Sequence, residues 1–425
     1  MWIQTDLTRQ AEARAGDRRP AILLPFLCLF AGTFAVGTDG FMISGLVPEI
    51  ARHFATSTAV AAQLTSVFAV TYALGAPLMS RLLARADRRL LLVLALGGLG
   101  AMNLLAALAP SLAVLFLARI AAALAACLYT PTASVVAANL ASAEHRGRAL
   151  SLVTSGLTVA IATGVPTGVL VGERFGWRAT FAAVALLAAL VSATLWTVLQ
   201  GTVEAATTTM HPSGGALHTP AVFRVLGTTL LGILAGYLAY TYVASVSRAA
   251  GSSGGSGLAV VLAGFGAGAA CGVLLSGAGV DRYGQPAVVR AGAVAQLIAL
   301  LSLGALHSIR PHLGVSPVAL AFTVLGAGSF AYAAPQQHRL IELSPENPTT
   351  LISLNSSAIY AGIGLSGVLG ALTLQAGPTA NCLTGALLAA ATATIARKPR
   401  SCTRRHQRRR PGHAKKQTAK ETTPC

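Results

Sequence analysis

Long stretches of this 425-residue chain contain no Asp, Glu, Lys or Arg. They occupy 53–80, 90–118, 120–143, 179–203, 225–247, 249–280, 291–309, 311–338 and 347–396. A helix of about 20 residues crosses the ~30 Å hydrocarbon layer, and only a helix or closed barrel pairs all its backbone groups there. Charged residues make up 10% of the chain, against about 25% in a soluble domain, which excludes an ordinary cytosolic enzyme and a disordered protein. The pattern predicts an all-α membrane protein.

Breaking the runs at charges, prolines and glycine clusters predicts twelve transmembrane helices. They cover 22–47, 59–80, 90–109, 112–139, 149–172, 178–200, 221–247, 257–279, 287–307, 314–336, 351–375 and 379–396. The first is too long for a signal-peptide core and is followed by further spans, so it is read as retained. With the N-terminus inside, 25 of the 31 Lys and Arg residues fall in cytoplasmic segments and five in outer loops, leaving Arg119 within a span. The positive-inside bias therefore predicts a multi-pass plasma-membrane protein with both termini cytoplasmic.

The expected organisation is a cytoplasmic segment over 1–20, a six-helix bundle over 21–200, a linker over 201–220, a second bundle over 221–396 and a basic tail over 397–425. Short loops repeat between the halves. Ser80-x-x-x-Ala84-Arg85-x-Asp87-Arg88-Arg89 follows the second span, and Gly277-Ala278-Gly279-Val280-Asp281-Arg282-Tyr283-Gly284 follows the eighth. Two pseudo-symmetric six-helix bundles are the architecture that such a repeat implies.

The Gly-x-x-x-Asp-Arg-x-Gly loop resembles the signature loop of the major facilitator superfamily. Gly37-Thr38-Asp39-Gly40-Phe41-Met42 through Ala51, Arg119, Gly164-Val165-Pro166-Thr167-Gly168, Gly176-Trp177-Arg178-Ala179-Thr180-Phe181 and Asn355-Ser356-Ser357-Ala358 follow in the order of its twelve-span drug:proton antiporters. The likeness is strongest to actinobacterial chloramphenicol-efflux proteins. Two features depart from the pattern: in the first loop Ala84 stands at the aspartate position and Asp87 at the following glycine position, and Gly40 stands where related proteins often have a glutamate.

Asp39 is the only acid placed inside a span, and an ionisable group in hydrocarbon usually faces a cavity and a partner. Asp39 lies eight residues before the expected end of its helix at Val47, and Arg119 eight residues after Ser111, so the two share a depth. Their expected role is proton coupling, weighed against a static pair that locks two helices. The resemblance gives Gly164, Pro166 and Gly168 to an antiporter motif in the fifth helix, weighed against a plain kink. It gives Arg85, Asp87, Arg88, Arg89, Gly277, Asp281, Arg282 and Gly284 to a cytoplasmic gate, weighed against positive-inside topology. Phe41, Met42, Tyr237, Tyr240, Tyr332 and Gln336 are candidates for a substrate cavity, with Tyr242 beside them; interface anchoring is the alternative for the tyrosines.

All four lysines lie in the tail, so the body has no Gly-rich loop ending in Lys for ATP phosphates. An ion gradient is then the expected energy source, and one acid suits a proton better than a sodium cage. The prediction is a proton-coupled exporter of small amphipathic compounds, such as a phenicol antibiotic. A sugar or nucleoside exporter, or an uncoupled facilitator of the same fold, is the alternative. An embedded enzyme would need a His, Asp and Glu cluster at one depth, and none is found. Six scattered cysteines and nine histidines have no metal-ligand spacing, so no metal and no cofactor is expected. The expected partners are a small-molecule substrate, protons and membrane lipid, with the chain a monomer. The tail has no aromatic residue on which bases would stack, so anionic lipid is preferred to nucleic acid.

Overall fold

The computed structural model describes residues 2–82, 86–142, 144–200, 219–249, 255–309, 314–343 and 348–396. Arg85, most of the linker and the whole tail lie outside them. The described residues form helices and no strands.

Helix α1 runs over Trp2–His53, α2 over Thr58–Leu82, α3 over Arg88–Ala107 and α4 over Leu112–Leu140. The fifth span comprises α5 (Arg146–Val159), a π-helical turn (Ala160–Gly164) and α6 (Val165–Phe175); α7 (Trp177–Val198) completes the first half. The second half holds α8 (Pro220–Thr241), α9 (Val243–Ala249), α10 (Gly255–Tyr283), α11 (Gln285–Ile309), α12 (Val315–Phe330), α13 (Ala333–Leu343), α14 (Pro348–Gln375) and α15 (Pro378–Ile395). Eleven spans among the described residues are long and apolar enough to cross a membrane. The twelfth helix, α15, is 18 residues long and diluted by threonines and Asn381.

The packing repeats between halves. α3 lies against α4 and α7, as α11 lies against α12 and α15. α2 packs on α4 as α10 packs on α12, and α1 on the fifth span as α8 on α14. The halves meet along two seams, α2 with α14 and the fifth span with α10. This is a twelve-helix, two-bundle membrane fold.

The core changes character along the membrane normal. At the end bearing the α1–α2 turn, one apolar cluster joins both halves, from Leu46, Leu115 and Phe181 to Tyr240, Leu303 and Phe322. At the other end the clusters divide: Leu92, Val136 and Val153 belong to one within the first half, and Val225, Leu340 and Leu351 to another within the second. Tyr360 is the second-half residue that packs against both the shared cluster and that of the first half.

Several boundaries differ from the sequence-based expectation. The helix of the first span begins at Trp2 and continues to His53, so residues expected to form a separate N-terminal segment extend it. Pro48 does not end it, and Glu49 lies within the helix rather than past it. There Glu49 accepts the Trp177 backbone N–H at 2.9 Å, capping the start of α7. The seventh span breaks at Tyr242 and the tenth at Ala331–Tyr332, where the sequence reading has continuous helices. In the fifth span the expected bend is a π turn, in which the Val165 N–H reaches back five residues to Ala160 O. Pro166 has no N–H to continue the ordinary ladder, and a widened turn absorbs the mismatch.

Candidate functional site

Asp39 and Arg119 meet. Arg119 Nη1 stands 2.6 Å from Asp39 Oδ1, and Nη2 donates to the Asp39 backbone oxygen at 3.2 Å. Their side chains are 0% and 1% exposed, and theirs is the one buried ion pair among the described residues. Phe68 of α2 covers the guanidinium, whose carbon lies 4.2 Å from the ring centroid. The pairing forms although α1 extends six residues past Val47, so the depth arithmetic used too short a helix. Asp39 Oδ2 and Arg119 Nε are buried without a hydrogen-bond partner. An ion pair in this setting is held by geometry rather than by net stabilisation, because desolvation offsets much of its attraction.

An aromatic cluster stands between the halves, and its first-half member is two residues along α1 from Asp39. Phe41 of α1 lies 6.0 Å from Tyr237 and 6.4 Å from Tyr240, both on α8. Tyr240 lies tilted against Phe265 of α10 with centroids 4.3 Å apart, and its hydroxyl is buried without a partner. Three of the residues chosen from sequence are thus brought together.

Of the other three cavity candidates, Met42 lies in the same apolar cluster as these rings, and Tyr332 and Gln336 bond within the second half. Met42 is fully buried in the shared apolar cluster. Tyr332 donates its hydroxyl to Gln296 Oε1 at 3.0 Å, while Gln296 Nε2 donates to Gly232 O and to Ser329. This satisfied network ties α8, α11 and α12 inside the second half. Gln336 donates to Val225 O at 3.1 Å, and its Oε1 is buried without a partner. Tyr242 donates to Gly367 O at 2.7 Å, at the break that the sequence reading ran through.

The loop residues are spread along one end. Asp87 caps α3 by accepting from Arg89 N at 2.7 Å and Leu90 N at 3.0 Å. Arg89 donates to Trp196 O and lies over that indole, pinning α3 to α7 within the first half. Arg282 lies over Tyr283 at 5.4 Å. Gly284 takes φ +80°, the left-handed conformation that suits glycine, and turns the chain from α10 into α11. Gly277 has open space beside its Cα. Gly164 and Gly168 place the fifth span against α1 and α7, with Thr180 donating to Gly168 O at 2.7 Å.

Sequence reasoning passed over Tyr72, Tyr360, Phe68 and Asn103. Tyr72 and Tyr360 stack across the α2–α14 seam. The available signal was position, since a tyrosine in the middle of an apolar run is too deep to anchor at the interface. Asn103 interrupts the apolar buried face of α3.

A family model described as Major Facilitator Superfamily matches residues 29–367. The chain is 34% identical over 358 residues to a protein of Streptomyces lividans described as "Chloramphenicol resistance protein", covering 83% of this chain and 89% of that one. It is 31% identical over 355 residues to "Inner membrane transport protein YdhP" of Escherichia coli (strain K12), with the same shares. Among solved structures, the E. coli xylose transporter XylE in a partially occluded inward-open conformation superposes with TM-score 0.67 at 16% identity, over 88% of this chain and 97% of that one; this likeness concerns the fold. With its two six-helix halves and a family match along most of its length, this chain is a membrane transporter, not an enzyme, and belongs to the major facilitator superfamily.

Proposed function

We propose that this protein is a proton-coupled antiporter exporting small amphipathic compounds, with a phenicol antibiotic as the first substrate to test. The observation that carries the reading is the Asp39–Arg119 pair, an ionisable group held in hydrocarbon two residues along α1 from Phe41, which meets Tyr237 and Tyr240 of the other half. Arginine does not release its proton at accessible pH, so Asp39 is the carrier. When the halves rock, loss of the Arg119 contact and a change in hydration alter the affinity of Asp39 for a proton. Substrate seated near Phe41, Tyr237 and Tyr240 would compete for the same rearrangement. The relative from Streptomyces lividans supports the choice of chloramphenicol as probe.

On this reading residues 21–200 and 221–396 are the moving bodies, both termini are cytoplasmic, and the divided end of the core faces the cytoplasm. Asp87, Arg88, Arg89, Asp281 and Arg282 edge the cytoplasmic gate, and the Gly164–Gly168 segment acts as the antiporter motif. The chain works as a monomer in lipid. The test is chloramphenicol export from proteoliposomes under an imposed proton gradient. Asp39→Asn is expected to abolish uphill export while the purified protein still unfolds cooperatively, at a lower temperature because the buried Arg119 loses its counter-charge. Undiminished uphill export by that variant would sink the assignment.

A further inference from the structure

Arg119 meets more than its acid. Its guanidinium carbon stands 4.2 Å from the centroid of the Phe68 ring, within the range at which the negative face of an aromatic ring attracts a cation. Phe68 is 2% exposed and Arg119 1%, so the contact is desolvated. The ring is braced from two sides. A Cβ on Gly40, the residue after Asp39 on α1, would lie 3.5 Å from Phe68 Cε1 and 3.8 Å from Cζ, at the ring's edge. One turn along α2, Tyr72 lies with its centroid 6.5 Å from that of Phe68, and Tyr72 in turn stacks on Tyr360 of the second half. The guanidinium is thus held between a carboxylate, which a proton neutralises, and a π face, which no proton alters. Among the described residues Asp39 is the one acid paired with Arg119, and Arg119 Nε is buried without a hydrogen-bond partner. Once Asp39 takes up a proton, a buried cation is left without its counter-charge, which is costly in low dielectric.

We infer that Phe68 is a positioning residue for Arg119, whose π face holds the guanidinium while Asp39 is protonated. A ring attracts a cation over its whole face and fixes no hydrogen-bond direction. Arg119 can therefore leave the carboxylate without leaving every partner, and it stays in place to receive Asp39 when the proton departs. The inference deepens the proposed function and rests on it for the step served, but the contact between Phe68 and Arg119 does not.

Two measurements separate these. In the purified full chain, Asp39→Asn imitates the protonated acid. Phe68→Leu should lower the thermal transition further in Asp39→Asn than in the native chain, a non-additive effect of neighbouring groups. Phenylalanine analogues bearing one, two and three ring fluorines weaken the π face while keeping the ring's shape. At position 68 of Asp39→Asn they should lower the transition step by step. In Asp39→Asn combined with Arg119→Gln, where no cation remains, the same series should be flat. In proteoliposomes with chloramphenicol, uphill export by the otherwise native chain should fall along the series, by about tenfold at three fluorines, as expected for loss of a desolvated cation–π contact. A flat fluorine series in Asp39→Asn overturns the inference, whatever Phe68→Leu does. So does a slope that persists without Arg119, which marks Phe68 as core packing. A graded thermal series with export unchanged throughout leaves the Phe68 contact standing and overturns the coupling reading instead.

Discussion

Tyr72 of α2 and Tyr360 of α14 stack face to face across the seam between the halves, with centroids 3.6 Å apart and planes 18° apart. One turn away, Ser357 donates to Ala73 O at 2.8 Å, and further along Gln63 donates to Gly367 O at 3.1 Å. These two hydrogen bonds between the halves both lie on this seam. The other seam is made by close backbone approach. A Cβ on Gly266 would meet the backbone of Ala162 in the π turn. One seam is thus directional and polar, and the other is steric.

The tyrosine stack should be measurable as a coupling. Tyr72→Leu and Tyr360→Leu in a double-mutant cycle on thermal stability should show about 1 kcal/mol of interaction, the range for a stacked aromatic pair. Strict additivity would mean that the rings do not touch in the state that dominates in solution.

Breaking the ion pair from one side should be worse than removing it. Arg119→Gln strands a buried carboxylate and should cost about 3–5 kcal/mol. Asp39→Asn combined with Arg119→Gln should recover a large part of that loss, because no unpaired charge remains, yet stay inactive in uphill export. Equal destabilisation in the single and double variants would contradict the pairing.

Gly266→Val tests the steric seam. Its side chain has no room against Ala162, so α10 must move from the π turn, and overpacking of this kind costs about 1–3 kcal/mol. Gly277→Ala, on the same helix with open space beside it, is the control and should leave the thermal transition in place. Similar shifts in both would remove the special status of Gly266.

At the end bearing the α1–α2 turn, Glu49 caps α7 while Arg178 bonds His53 and Ala109 O, both at 2.9 Å, and lies over Trp177. Arg178→Ala should lower stability by about 1–2 kcal/mol through two lost hydrogen bonds. Glu49→Gln, which keeps an acceptor, should cost less. A larger loss from Glu49→Gln than from Glu49→Ala would show that the acceptor is not what matters.

The gate assignment has its own test. Asp281→Asn should speed labelling of a single cysteine introduced near Phe41, with substrate affinity unchanged. Unchanged labelling with a large loss of affinity would give Asp281 another role.

Helix number, the six-and-six division and the identity of Asp39 and Arg119 were legible in the sequence. All three follow from the exclusion of charge from hydrocarbon, which acts on composition over a window and needs no partner. That exclusion also singles out the rare residues that violate it. What the sequence left open depends on which faces meet. Phe41, Tyr237 and Tyr240 come together because α1 and α8 face each other across the halves, whereas Tyr332, equally polar and equally buried, turns inward to Gln296. Hydropathy treats these tyrosines alike, since it records burial and not direction. The break at Tyr242, whose hydroxyl bonds Gly367 O, and the stack of Tyr72 on Tyr360 were likewise decided by tertiary packing. Each depends on a neighbour supplied by another helix, and no local periodicity encodes that neighbour.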